Sequence, residues 1–142
     1  MFLSFNLFFR LAKLPTAVHR YCAEQELRGA KTLSLSTALI ESRERNLRLL
    51  REYRLRWEFP HNEHEPTCFS PCFVDAEGRQ CAVAYLMHAT GGEEAVTLIA
   101  QKANYARIHE MRFPELEAWM TSSGLTKAEL ARIQPTYAPT TP

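Results

Sequence analysis

Neither sign of charge prevails in this sequence: seventeen lysines and arginines stand against sixteen acids, a formal net charge of +1. So balanced a chain projects no global field toward nucleic acid or an acidic substrate, and any basic effect must be local. No apolar run approaches the ~20 residues that cross a bilayer. There is no phosphate-cradling glycine-rich loop, Walker motif, CxxCH haem attachment or GxSxG elbow, which disfavours nucleotide and covalent haem chemistry. Internal repeats are also missing. Four cysteines, Cys22, Cys68, Cys72 and Cys81, are too few for a disulfide scaffold.

What is present suits one globular domain. A chain of 142 residues, 46% of them hydrophobic, can bury a core without metal or disulfide staples. Its most apolar stretch is Cys81 to His88, which holds no charged residue. On a helical wheel Ala82, Val83, Leu86 and Met87 point away from Cys81, Tyr85 and His88, so the helix is apolar all round and should be enclosed by its neighbours. Before it, Cys72-Phe73-Val74 reads as a short strand, with a turn opened by Asp75 and closed by Gly78. Gly91-Gly92 marks the exit.

The other elements are expected around this unit. Met1 to Phe9 is rich in phenylalanine (Phe2, Phe5, Phe8 and Phe9), but Arg10 and Lys13 follow it, whereas a secretory signal has its positive charge first. This stretch reads as an amphipathic helix packed on its own domain, as an interfacial or partner-docking segment, or as a mis-assigned start. A helical pattern follows Pro15 from Thr16 to Leu27, and Arg28-Gly29 ends it. Ser36 or Thr37 caps a long helix to about Glu58, with Leu39, Leu49, Leu50, Tyr53 and Trp57 on one arc. Its arginines, Arg43, Arg45, Arg48, Arg51, Arg54 and Arg56, read as a solvated, ion-paired face and not as a nucleic-acid stripe. Asn46 interrupts the apolar arc, and a buried amide needs partners, so it should tie this helix to a loop. His61 to Pro71 is an irregular loop. Glu93 or Glu94 opens a further helix, Pro114 another, and Thr126 to Glu129 is a capping box for the last. The expected fold is mainly α, a compact helical domain around a buried central helix with at most one short strand or hairpin. Its divisions are an N-terminal appendage over 1–34, the helical domain over 35–137 and a flexible tail over 138–142.

The pattern Phe59-Pro60-His61-Asn62, Pro71-Cys72-Phe73-Val74-Asp75 with Gly78, Cys81-Ala82-Val83-Ala84-Tyr85-Leu86-Met87 and Ile133-Gln134-Pro135-Thr136-Tyr137 resembles a family of small uncharacterised bacterial proteins. The likeness covers roughly residues 42–137. It implies a periplasmic or membrane-peripheral location and carries no established activity. The N-terminus departs from that pattern, which keeps a cytoplasmic site open.

Three kinds of chemistry deserve weighing. Cys81 at a helix N-terminus could be a thiol nucleophile, since the helix dipole favours its thiolate. His88 shares its face but lies about 10 Å along the axis, so the base would be His109, His61 or His64, with Asp75 or Asn104 orienting it; the favoured set is Cys81, His109 and Asp75. Against this stands the ordinary buried cysteine, or a Cys72–Cys81 disulfide in an oxidising compartment. His61, His64, Cys68 and Cys72 offer one loop of zinc or copper ligands, although the spacing is no standard finger. Finally, Asn46, Asn62, Asp75, Arg79, Asn104 and Tyr137 form either an internal polar network or the lining of a pocket. The leading expectation is a non-enzymatic binding or scaffolding domain, without a cofactor, that meets a protein partner. A membrane interface through residues 1–14 is a further option, nucleic acid is disfavoured, and a Cys81-dependent enzyme and a metal-binding loop remain as alternatives.

Overall fold

The computed structural model describes residues 2–65 and 67–137, with side chains from residue 14 onward. Six helices follow one another: α1 (Phe2–Gly29), α2 (Thr37–Arg56), α3 (Ala82–Ala89), α4 (Glu93–Ala103), α5 (Pro114–Ser123) and α6 (Lys127–Ile133), with one 3-10 turn at Ile108–Glu110. The mainly helical expectation holds. Among the described residues extended pairing is limited to two isolated antiparallel bridges, Ser70 with Tyr137 and Val74 with Gln80.

The helix ends follow from local chemistry. Ser36 caps α2, its hydroxyl accepting from Leu39 N–H at 3.3 Å, and Trp57 closes that helix in the left-handed region at φ 58°. Pro114 opens α5, where its missing N–H costs nothing. Thr126 and Glu129 form the reciprocal capping box of α6.

Two expectations are corrected at the N-terminus. Pro15, expected to separate an apolar segment from a helix starting at Thr16, lies inside the continuous α1. Residues 17–27, assigned by sequence to an appendage, share the core: Ala17, Ala23 and Leu27 belong to the main hydrophobic cluster, and Arg20 and Glu24 are buried beside them. Packing of this half against α2 and α6 supplies the free energy that a short helix lacks by itself. The side chains of Phe2, Phe5, Phe8 and Phe9 lie outside the described residues, as does the tail over 138–142.

The arginine face of α2 is also corrected. Arg43 turns inward, and its guanidinium makes a bidentate pair with Glu129 (2.7 and 2.9 Å) while donating to Gly124 O (3.0 Å) and Leu27 O (2.8 Å). Arg54 reaches the buried Glu24 at 3.3 Å. One side chain of α2 thus clamps the ends of α1 and α5 and the start of α6.

Helix α3 packs on α2, α4 and α6. Ala82, Val83, Ala84, Leu86 and Met87 are fully buried, and each larger one contributes about 1.5–3 kcal/mol by leaving water. Enclosure on every side does not hold, because Tyr85 is half-buried and His88 and Ala89 are exposed. One flank of the central helix faces solvent.

Candidate functional site

The turn before α3 is built on Asp75. Its carboxylate accepts from the N–H groups of His61 (3.1 Å), Glu77 (3.0 Å) and Arg79 (2.9 Å), and from Arg79 Nε at 2.7 Å. Burial works against ionisation there, but these hydrogen bonds outweigh it and hold the carboxyl below its usual range. Gly78, at φ +79°, supplies the left-handed step. Arg79 extends the assembly to Glu77 and to His61 Nδ1 (3.0 Å).

The remaining polar residues tie loops together. Asn62 Nδ2 donates to the carbonyls of Glu65 (3.1 Å), Cys68 (2.9 Å) and Tyr137 (3.1 Å). Asn104 pairs with both backbone groups of Val74, at 2.9 and 2.8 Å. Asn46 Nδ2 donates to Ser123 O at 2.9 Å, tying α2 to the last residue of α5 and not to a loop as expected, while its buried Oδ1 has no partner among the described residues. Tyr137 receives a hydrogen bond from Arg20 at 2.8 Å. The six residues therefore act as fasteners around α3 more than as one network: among them only Asp75 with Arg79 and Asn62 with the Tyr137 carbonyl bond directly.

Arg20 is the residue that sequence reasoning missed. It is wholly buried, no carboxylate is bonded to it among the described residues, and its guanidinium lies 4.2 Å from the ring centre of Phe59, 4.9 Å from Tyr53 and 5.8 Å from Tyr137. Aromatic faces and the Tyr137 hydroxyl take the place of an acid. The only hint in the sequence is its place on the inward line of α1, between Ala17 and Ala23.

The thiol expectations fare differently. Cys81 caps α3 and its sulfur accepts from Ala84 N–H at 3.4 Å. Burial dominates the dipole and pushes the thiol up to about 11; burial likewise pushes Cys72 up to about 12. None of the hydrogen bonds to Cys81 comes from a histidine. His109 is exposed, 3.8 Å from Glu110, and Asp75 holds the turn, so Cys81, His109 and Asp75 are not assembled as a catalytic set. The Cys72–Cys81 disulfide is also corrected: all four cysteines are free. Native protein treated with iodoacetamide at neutral pH should take two adducts, on the exposed Cys22 and Cys68, and four only after unfolding. Intact mass gives the count, and rapid native labelling of Cys81 would contradict its burial.

The loop ligands do not converge either. His64 stacks on Tyr105, with ring centres 3.9 Å apart, Cys68 is exposed and Cys72 is buried. His61 instead lies with Glu63 and Glu77, their ligand atoms within 4.8 Å of one another. Arg79 bonds both His61 and Glu77, so a guanidinium already supplies to Glu77 the positive charge that an ion would bring.

What remains open is a groove of about 390 Å³ along the uncovered flank of α3. It is lined by Tyr53, Arg56, Glu58, the 77–80 turn, Tyr85, His88 and Ala89. Tyr53 O–H donates to Gln80 O at 2.5 Å and joins α2 to that turn. Arg56 and Glu58 pair at 2.9 Å, and the Arg56 guanidinium lies 5.3 Å from the Tyr85 ring centre. Comparison of the chain with protein-family models, curated proteins and solved structures finds no match.

Proposed function

We propose that the chain is a non-enzymatic binding domain that receives a protein partner in the groove along α3. The supporting observation is the open flank itself: the helix that organises the core leaves Tyr85, His88 and Ala89 to solvent beside a concave surface. Of the catalytic set weighed from the sequence, Cys81 caps α3 and Asp75 holds the preceding turn, and the reading calls for no cofactor. Binders selected on the immobilised full chain from a displayed random-peptide library test it. Ala89→Trp fills the groove from an exposed position and should weaken them at least tenfold. Binders indifferent to this substitution would overturn the reading.

A second attachment is supported by α1. Leu14, Val18 and Tyr21 are 44%, 50% and 49% exposed at helical spacing on the side facing away from the core. They suit an interfacial contact continuing the apolar residues 1–14, and a periplasmic or membrane-peripheral location would accord with it. No described helix is long and apolar enough to cross a membrane. Full-length chain should float with anionic vesicles, and Val18→Glu with Tyr21→Glu should abolish this. Unchanged flotation removes this attachment from the proposal.

A further inference from the structure

We propose that the groove beside α3 takes an extended peptide segment and reads its main chain through the paired side chains of Gln80 and His88. The inference rests on the binding role just proposed and names the chemistry of the partner. Gln80, just ahead of α3, and His88, in its last turn, bring Nε2 and Nδ1 to 2.7 Å at the exposed flank, and neither side chain has another hydrogen bond among the described residues. If the amide nitrogen donates, the imidazole accepts at Nδ1; its Nε2 then carries a proton and Gln80 Oε1 keeps free lone pairs. If the amide is reversed, Gln80 Nε2 is left to donate and His88 Nε2 to accept. Either arrangement leaves one donor beside one acceptor. That is the complement of a residue in an extended chain, whose N–H and C=O face the same neighbour.

The surroundings favour a main chain over a bulky or ionic ligand. Gly78 lines the groove, and a Cβ there would meet nothing within 4 Å, so this part of the lining is open to close approach. Ala89 adds only a methyl group. Tyr85 offers a half-buried ring to one partner side chain. The rim charges are already matched, Arg56 with Glu58 and Arg79 with Glu77. A strongly charged partner therefore gains little, and binding should change little with added salt.

The test uses the full chain labelled with nitrogen-15 and a blocked hexapeptide of alternating alanine and serine. Amide shifts should move at Gln80, Tyr85 and His88. An ester analogue of the hexapeptide, with oxygen replacing alternate N–H groups, should bind roughly tenfold more weakly, the effect of about one hydrogen bond. Gln80→Leu and His88→Phe, both at the surface end of the pair, should each reduce binding to a similar degree and leave the other resonances in place. Equal binding of peptide and ester, unaltered binding by both variants, or no shift at these residues overturns main-chain reading. Should library binders remain sensitive to Ala89→Trp in that case, the binding role stands and only its chemistry falls.

Discussion

Gly124→Ala is expected to cost about 3–5 kcal/mol of folding free energy, from a left-handed backbone forced on an L side chain plus overpacking. Gly124 ends α5 at φ +72°. A methyl group there would stand 2.3 Å from Leu39 O, 2.7 Å from Arg43 Cβ and 2.8 Å from Arg43 N. Two of these three atoms are backbone of α2, so no side-chain rotation relieves the contact. The two helices must move apart or the turn must open. Denaturant titration should show the midpoint falling with little change in slope. Gly78→Ala is the control, since its φ of +79° is equally unfavourable while a side chain there meets nothing within 4 Å. Its loss should be only about 1–2 kcal/mol. Equal losses at the two positions would show that the approach of α5 to α2 is looser than described.

Arg43→Ala should be nearly as damaging, at about 3 kcal/mol, because removing the buried arginine strands a part-buried carboxylate and two carbonyls. Glu129 would lose both of its guanidinium bonds, and the carbonyls of Gly124 and Leu27 would each lose a donor. Lysine should recover part of the loss, since a single ammonium cannot form the planar fork. The same pair gives an acid limit. Burial opposes ionisation of Glu129, but the bonds from Arg43 and Thr126 overcome it and lower its pKa, as the turn does for Asp75. Both carboxyls release protons more readily in the fold than in the unfolded chain. Their stabilisation is therefore full above the unfolded values of 4.5 and 3.8, and disappears as pH falls through the lower folded values. Unfolding midpoints measured from pH 6 to pH 2 should decline in that window, and Glu129→Gln should flatten the decline.

Much of the architecture was legible because it is encoded locally. Ser36, Pro114 and the Thr126 to Glu129 box mark helix starts within four residues, and the uncharged run at 81–88 marks the central helix through composition alone. The burial of Arg43 was not legible, because it depends on Glu129, 86 positions away, and a cation on an amphipathic helix reads as solvated until its acid is found. Arg54 and Glu24 repeat the case across 30 positions. Helix α1 runs through Pro15 against local preference, since its packed second half outweighs the lost hydrogen bond. The four loop residues expected as metal ligands stand apart for a related reason. His61 is directed by Asp75 and Arg79, and His64 by Tyr105, so ligands adjacent in sequence are drawn apart by groups that spacing does not reveal. The groove arose where enclosure was expected, because the helical period that buries Val83 and Met87 turns Tyr85 and His88 outward, and among the described residues no other helix encloses them.

The aromatic cage of Arg20 has a consequence for how the protein comes into being. Its walls come from residues 53, 59 and 137, so a guanidinium near the beginning of the domain waits for a phenol near its end. On the ribosome, where chains emerge at about 5–20 residues per second, α1 and α2 can pair early, but the cage stays incomplete until Tyr137 has emerged. A nascent chain halted before residue 137 therefore carries an unfinished core that chaperones would recognise.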